Sequence, residues 1–209
     1  MRTRIKFCGM TRVEDVALAS ALGVDAIGLI FAERSPRRLS ATQARELRAA
    51  AGPFVASVAL FMDNAVTEVA GIIATVRPAL LQFHGDEPAE DCERHGLPYL
   101  KAVPMASVDD FDAYAARHPR AVGFVVDSHA AGEAGGSGVT FDWSRLPRGF
   151  ARPLVLAGGL VPGNVFDAVR AVAPQAVDVS SGIESMPRIK DPERMRRFVA
   201  EVRRADNDE

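Results

Sequence analysis

One strand–helix–strand repeat is visible in residues 154–182, LVLAGGLVPGNVFDAVRAVAPQAVDVSSG. Its two apolar runs, 154–157 and 177–180, flank a stretch with helical periodicity that begins near Pro162 and ends near Val172. A proline suits the first turn of a helix, because its missing N–H has no intrahelical partner there. Short apolar runs that alternate with helical stretches are typical of parallel β/α units.

The same alternation extends outward over the whole chain. Eight apolar runs occur, at residues 5–8, 26–31, 55–61, 80–83, 99–103, 122–126, 154–157 and 177–180. Their continuous hydrophobicity is expected of strands that are covered on both faces. Division of the 209 residues by eight leaves about 26 residues per unit, near the lower limit for a closed parallel barrel. We predict a single-domain (β/α)8 TIM barrel over residues 1–205, followed by a polar tail at 206–209.

An open doubly wound sheet is the alternative, because it uses the same alternation. Eight units favour closure, and no G-x-G-x-x-G motif follows the first run to support a dinucleotide-binding sheet. The glycine-rich segment 132–138 has the composition of an interdomain linker. It lies between the sixth and seventh units, where a long loop of the catalytic face is expected, so we interpret it as a loop.

Composition limits the classes of function. The formal net charge is −2, so the chain has no basic field that would attract nucleic acid. No apolar run approaches the roughly 18–20 residues that cross a bilayer, and no secretory signal pattern is present. The two cysteines, Cys8 and Cys92, form no metal-ligand or disulfide pattern. We expect a cytoplasmic protein that has no metal site and binds neither nucleic acid nor a membrane. We expect it to be a monomer or a homodimer.

Polar residues at strand ends are the first candidates for chemistry, because catalytic residues of closed parallel barrels lie there. Asp127 directly follows an apolar run, a setting that keeps a carboxyl proton available for general acid catalysis. A loop-ordering or N-cap aspartate is the equal alternative. His84, after the fourth run, either orients a substrate or is a structural histidine. Arg37, beyond the second run, is either a carboxylate clamp or a solvated side chain.

Cys8 ends the first apolar run. A lone buried cysteine is more often a small hydrophobe than a catalyst. Two neighbouring features favour catalysis: Gly9 allows a sharp exit from the strand, and residues 11–14, TRVE, predict a capping box. The helix after that box would direct the Cys8 thiol toward the mouth of the barrel.

Small residues follow the last two strands, at Gly158-Gly159 and at Ser180-Ser181-Gly182. Either of these two loops alone is more often a simple turn or a helix cap. Both together, in adjacent final units, predict a phosphate site, because backbone N–H groups approach an anion closely where side chains are small.

Six motifs carry a resemblance to one family. Lys6-Phe7-Cys8-Gly9-Met10-Thr11 resembles the K-[IVF]-C-G-[ILM]-T signature of the phosphoribosylanthranilate isomerases of tryptophan biosynthesis. Five further motifs follow in family order: 35–40 SPRRLS, 81–85 LQFHG, 135–143 GGSGVTFDW, 157–160 AGGL and 178–184 DVSSGIE. Together they span nearly the whole chain.

The resemblance implies an Amadori rearrangement of N-(5-phosphoribosyl)anthranilate to 1-(2-carboxyphenylamino)-1-deoxyribulose 5-phosphate, without a metal or an organic cofactor. It implies that Asp127 protonates the ribose ring oxygen and opens the ring to a Schiff base. Cys8 is then the general base that removes the proton at C2 of the sugar, and Arg37 holds the anthranilate carboxylate. The remaining implied substrate contacts are Gly158, Gly159, Ser180, Ser181 and Gly182 at the phosphate, with His84 and Asp178 lining the site.

Three other functions are open to a phosphate-binding barrel. Indole-glycerol-phosphate synthase relies on lysine and glutamate, and this chain has only Lys6, Lys101 and Lys190 as lysines. The aminoimidazole-carboxamide ribotide isomerase of histidine synthesis has an aspartate where this chain has Cys8. A noncatalytic sensor of a phosphorylated ligand would need neither Cys8 nor Asp127. All three alternatives therefore fit less well.

Overall fold

The computed structural model describes residues 2–128, 143, 146 and 149–208. Eight parallel strands form a barrel in chain order: β1 Arg4–Phe7, β2 Ala26–Ile30, β3 Ala56–Phe61, β4 Leu80–Phe83, β5 Tyr99–Pro104, β6 Gly123–Asp127, β7 Leu154–Leu156 and β8 Ala176–Val179. Strand β1 pairs with both β2 and β8, which closes the sheet. The predicted (β/α)8 TIM barrel is confirmed, and the open sheet is wrong.

α-Helices alternate with the strands except between β6 and β7, where most residues lie outside the described part of the chain. Their bounds are α1 Val13–Ala21, α2 Ala41–Ala50, α3 Val66–Val76, α4 Ala89–Glu93, α5 Phe111–Ala116, α6 Val165–Val172 and α7 Pro192–Asn207. After β8, a 3-10 turn at Ser181–Ile183 leads into a hairpin of β9 Glu184–Met186 and β10 Ile189–Lys190. The predicted loop at 132–138 lies outside the described residues, as does the motif at 135–143 apart from Trp143.

The capping box predicted at residues 11–14 is wrong. Arg12 is the N-cap of α1 and its side chain makes no capping hydrogen bond. The Thr11 hydroxyl donates instead to the carbonyl of Arg188, in the turn between β9 and β10. A capping box does form at α2, where Ser40 and Gln43 bond reciprocally. The cap of α1 is therefore not what orients Cys8.

Helix α6 begins later than the sequence predicts. Its first residue is Val165 rather than a residue near Pro162. The Asn164 side chain accepts a hydrogen bond from the N–H of Val161 at 2.8 Å and donates to the carbonyl of Gly159 at 2.9 Å. Because these bonds satisfy the backbone in a turn, residues 159–164 form a loop in place of the first helical turn.

Side chains alternate between the two faces of each strand, and the two faces have different characters. The outward faces pack on the helices in the largest apolar cluster, which includes Phe7, Phe124 and Phe198. Inside the barrel, apolar residues form two smaller clusters, centred on Leu100 with Val125 and on Ile30 with Leu60. The interior also holds polar side chains less than a tenth exposed: Lys6, Gln82, Asp127 and Asp178.

The last helix, α7, is held against the start of the first strand. The carboxylate of Asp206 accepts from the N–H of Thr3 at 2.9 Å, and Arg203 donates to the Thr3 carbonyl at 2.8 Å. The helix ends at Asn207. Over the described part of the chain, no helix is long and apolar enough to cross a membrane.

Candidate active site

All of the predicted site residues line one pocket at the carboxyl ends of the barrel strands. They are Cys8, Arg37, His84, Asp127, Gly158, Gly159, Asp178, Ser180, Ser181 and Gly182. The pocket and its open mouth together contain about 760 Å³ of space between atoms, part of which is open solvent. Apolar side chains of Ile30, Leu60, Met62 and Leu160 complete its wall.

The alternation of strand side chains explains why these polar residues converge. Cys8 lies two positions after the inward-facing Lys6, and Ser180 lies two positions after the inward-facing Asp178. Asp127 likewise follows Val125, a residue of the interior cluster. Because the period of a strand is two, each candidate continues the inward face of its own strand into the mouth of the barrel.

Glycines make room for the Cys8 thiol and for its neighbours. A Cβ atom on Gly28, in the adjacent strand β2, would lie 2.6 Å from the Cys8 sulfur. Gly9 has a φ of +69°, and a Cβ there would lie 2.4 Å from Cδ of Arg37 and 2.9 Å from Oγ of Ser180. The thiol, Arg37 and the loop after β8 therefore meet across two glycine positions, where a larger residue would displace a neighbouring side chain.

A buried ion pair lies beside Cys8. Lys6 and Asp178 are register partners on β1 and β8, and Lys6 Nζ donates to Asp178 Oδ2 at 2.8 Å. Burial raises the pKa of the Cys8 thiol, the Lys6 ammonium lowers it, and the Asp178 carboxylate raises it. The net direction is upward, so Cys8 rests as a neutral thiol beside a cation that stabilises its thiolate.

The same pair keeps Lys6 charged. Burial lowers the pKa of Lys6, but attraction to Asp178 and to Cys8 outweighs burial and raises it above its ordinary value. Burial raises the pKa of Asp178, against the opposing effect of Lys6. The second carboxylate oxygen of Asp178, Oδ1, is buried and has no hydrogen-bond partner among the residues that the structure describes.

Asp127 and His84 approach each other across the pocket. Asp127 Oδ2 lies 3.7 Å from Nε2 of His84, a contact that becomes an ion pair when the histidine is protonated. The Gln82 side-chain nitrogen lies 3.3 Å from Nδ1 of His84. When Gln82 donates to Nδ1, a neutral His84 carries its proton on Nε2, the atom that faces Asp127.

The loops after β7 and β8 form a rim of small, half-buried residues. Gly158 and Gly159 have φ values of +81° and +65°, a conformation that favours glycine. Neither uses its N–H in a hydrogen bond within the described residues. A Cβ on Gly182 would lie 1.9 Å from the carbonyl oxygen of Leu160, so the two loops touch. This arrangement suits an anion.

Arg37 reaches the same pocket, but part of its guanidinium is already bonded. Its Nε donates to Glu184 Oε1 at 2.7 Å and its Nη2 donates to Glu184 Oε2 at 2.5 Å. A ligand carboxylate therefore has only the Nη1–Nη2 edge of the guanidinium to approach. The sequence predicts that Arg37 binds a ligand carboxylate. In the structure, the Nε–Nη2 edge of its guanidinium already binds the carboxylate of Glu184.

Sequence reasoning missed three charged residues of the site: Lys6, Glu184 and Lys190. Two signals were available. Lys6 lies two residues before Cys8 and so shares its face of β1. Glu184 ends the motif at 178–184, next to the residues assigned to the phosphate. The part played by Lys190, in a two-stranded hairpin, had no local signal.

Known proteins are similar to this chain in sequence and in fold. A family model described as N-(5'phosphoribosyl)anthranilate (PRA) isomerase matches residues 5–201. The chain is 57% identical to the N-(5'-phosphoribosyl)anthranilate isomerase of Xanthomonas oryzae pv. oryzae, over 98% of this chain and 95% of that one.

Two solved structures of such isomerases are similar to this chain in fold. That of phosphoribosyl anthranilate isomerase from Thermus thermophilus has a TM-score of 0.83 and 35% identity, covering 97% of this chain and 99% of that one. A phosphoribosyl anthranilate isomerase in complex with reduced 1-(o-carboxyphenylamino)-1-deoxyribulose 5-phosphate has a TM-score of 0.79 and 32% identity, covering 96% and 98%. This chain therefore belongs to the N-(5'-phosphoribosyl)anthranilate isomerase family.

Proposed function

We propose that this chain catalyses the Amadori rearrangement of N-(5-phosphoribosyl)anthranilate to 1-(2-carboxyphenylamino)-1-deoxyribulose 5-phosphate, a step of tryptophan biosynthesis. Membership of the isomerase family, over residues 5–201, supports the reaction. One observation carries the assignment of roles to residues. Cys8 and Asp127 reach a single pocket from β1 and β6, and the glycine-rich loops after β7 and β8 line the same pocket.

The two charged groups of the substrate bind at different walls of the pocket. The phosphate lies against the loops of Gly158-Gly159 and Ser180–Gly182, where small residues let the backbone approach an anion closely. The anthranilate carboxylate lies against the remaining edge of the Arg37 guanidinium. Anchoring both ends places the ribose between them, next to Cys8 and Asp127, and this positioning supplies part of the rate enhancement.

Asp127 acts first, as the general acid. It gives its proton to the ribose ring oxygen while the bond between that oxygen and C1 breaks. The bonding electron pair goes to the oxygen, and the lone pair of the anthranilate nitrogen forms a double bond to C1, which yields a cationic Schiff base. The nearby His84 orients the Asp127 carboxyl group and, in its protonated form, stabilises the carboxylate that remains.

Cys8 acts second, as the general base. After the thiol has lost its own proton to solvent, the Cys8 thiolate removes the proton from C2. The released electron pair forms a C1–C2 double bond and neutralises the Schiff-base nitrogen. The resulting enolamine then tautomerises to the ketone. The Lys6 ammonium stabilises the thiolate before this transfer. Asp178 holds Lys6 in place through the 2.8 Å ion pair.

A turnover assay tests the proposal. Purified protein is mixed with N-(5-phosphoribosyl)anthranilate, and loss of the substrate fluorescence is followed over time. The histidine-pathway aminoimidazole-carboxamide ribotide substrate is assayed in parallel. We expect turnover of the anthranilate compound. Binding without turnover would support the sensor alternative and overturn the isomerase assignment, and turnover of the histidine-pathway substrate alone would place the chain with the other isomerase.

We further propose that residues 1–205 form the catalytic domain, and that the protein acts in the cytoplasm without binding nucleic acid. Its ligand is a small phosphorylated molecule. We expect a monomer or a homodimer, and light scattering of the purified chain distinguishes these two states.

A further inference from the structure

Glu184 is buried next to Arg37, which lines the pocket, and it joins two cations from different segments. Arg37, from the loop after β2, makes two hydrogen bonds to its carboxylate, of 2.7 and 2.5 Å. Lys190, from β10, donates to Oε1 of the same carboxylate at 2.9 Å. Only 6% of Glu184 is exposed to solvent. One carboxylate is thus shared by a guanidinium and an ammonium group.

The shared carboxylate stays ionised. Burial raises the pKa of Glu184, but hydrogen bonds and attraction from Arg37 and Lys190 outweigh burial and hold the pKa below its ordinary value. An ionised carboxylate that accepts two parallel bonds from a guanidinium fixes the plane of that group. Arg37 is therefore held in one orientation before any ligand arrives.

Lys190 extends the connection to the phosphate loop. Its ammonium group donates to the carbonyl of Ser180 at 3.0 Å. The backbone N–H of Lys190 donates to the carboxylate of Asp15 at 3.3 Å. A chain of bonds therefore runs from Arg37 through Glu184 and Lys190 to Ser180. The groups that face the two ends of the substrate are linked by one carboxylate.

We propose that Glu184 is a positioning residue for carboxylate recognition: it aims the free edge of Arg37 at the ring carboxylate of the substrate. This inference rests on the proposed function, because it takes the aromatic carboxylate to be the partner of Arg37. Glu184 does not contact the reacting atoms. Its effect on carboxylate recognition runs through Arg37, whereas the bond from Lys190 to the Ser180 carbonyl does not involve Glu184. A purely structural role for Glu184 would instead affect every ligand of the pocket to the same extent.

Two ligands separate these roles. The first is reduced 1-(o-carboxyphenylamino)-1-deoxyribulose 5-phosphate, and the second is the matching anilino compound, which lacks only the ring carboxylate. Their dissociation constants are measured by calorimetry for the unsubstituted protein, Glu184→Gln, Arg37→Ala and the double variant. Thermal unfolding of each variant is recorded alongside.

We expect Glu184→Gln to weaken binding of the carboxylated ligand by about tenfold to hundredfold, as loss of charge-assisted hydrogen bonds does. Binding of the anilino compound should change by less than about threefold, a difference of under 1 kcal/mol. Arg37→Ala should remove the preference for the carboxylated ligand. The double variant should then bind like Arg37→Ala, because Arg37, the group through which Glu184 acts on the ligand carboxylate, is already absent.

Glu87→Gln is the matched control. Glu87 also forms a buried ion pair, with Lys101 at 2.9 Å, but its partner Lys101, unlike Arg37, does not line the pocket. Its substitution should lower the unfolding temperature without changing the ratio of the two affinities. If Glu184→Gln does not fold, Glu184→Asp keeps the charge on a shorter side chain and should show the same selective loss.

The outcomes are distinct. Equal losses for both ligands in the Glu184 variant would overturn the positioning role, and so would a further loss of the carboxylated ligand in the double variant. A protein that binds neither ligand before substitution would overturn the proposed function itself. A protein that binds both ligands equally well would show that Arg37 does not recognise the carboxylate, which rejects the inference while leaving the isomerase reaction testable by turnover.

Discussion

Replacing Gly28 with alanine should displace the catalytic thiol without unfolding the barrel. The new Cβ would lie 2.6 Å from Cys8 Sγ and 3.0 Å from Cys8 Cα, whereas ordinary contacts are 3.4–4 Å. The sulfur must therefore move by about 1 Å, and a displacement of that size costs about 10²-fold in rate. The extra methyl group in a packed interior costs about 1–3 kcal/mol of unfolding free energy.

The assay is substrate fluorescence for kcat and KM, with thermal unfolding in parallel. A loss of 1–3 kcal/mol corresponds to a fall in Tm of roughly 2–12 °C for a chain of this size. Gly71→Ala, in α3, is the matched control, since a Cβ there meets nothing within 4 Å. It should leave kcat unchanged and stabilise the helix by about 1 kcal/mol. Full kcat in Gly28→Ala would refute the claim that the thiol position limits catalysis.

Three further predictions concern the proposed site. Cys8→Ala and Asp127→Asn should each lower kcat by about 10²–10⁴-fold with little change in Tm, and substantial turnover in either variant rejects that residue's role. Arg37→Ala should mainly raise KM, by about tenfold or more, and unchanged kinetics would remove it from the site. Because burial raises the pKa of Cys8, the thiolate fraction and the rate of iodoacetamide alkylation should still be rising at about pH 9; a plateau near neutrality contradicts this. Lys6→Met should slow the alkylation further, since the ammonium group that lowers the thiol pKa is lost. Cys92 does not compete, because burial raises its pKa to about 12.

The strands could be predicted from sequence because each is a short apolar run between helical stretches. Predicted and observed bounds differ by a residue at some ends. The sixth run was expected at 122–126, whereas β6 is Gly123–Asp127 and Val122 is 45% exposed. Burial of each strand on both faces makes the run visible, but hydrogen bonding decides where it ends.

Features that depend on distant partners could not be predicted in the same way. The capping box at 11–14 failed because Thr11 bonds to the carbonyl of Arg188, 177 positions away. The pairing of Arg37 with Glu184 joins residues 147 positions apart. No local pattern records such a pairing. The strand-end candidates were found because the fold itself brings all such ends together.

The Lys6–Asp178 pair has a consequence for how the barrel closes. It sits on the seam between the first and last strands, where the chain joins residues 172 positions apart. If that seam slipped by one residue, Lys6 would lie opposite Val177 or Val179. Two unpaired charges would then be left in an apolar interior, at a cost of several kcal/mol. The same two charges that shift the pKa of the thiol therefore also favour a single register between the first and last strands.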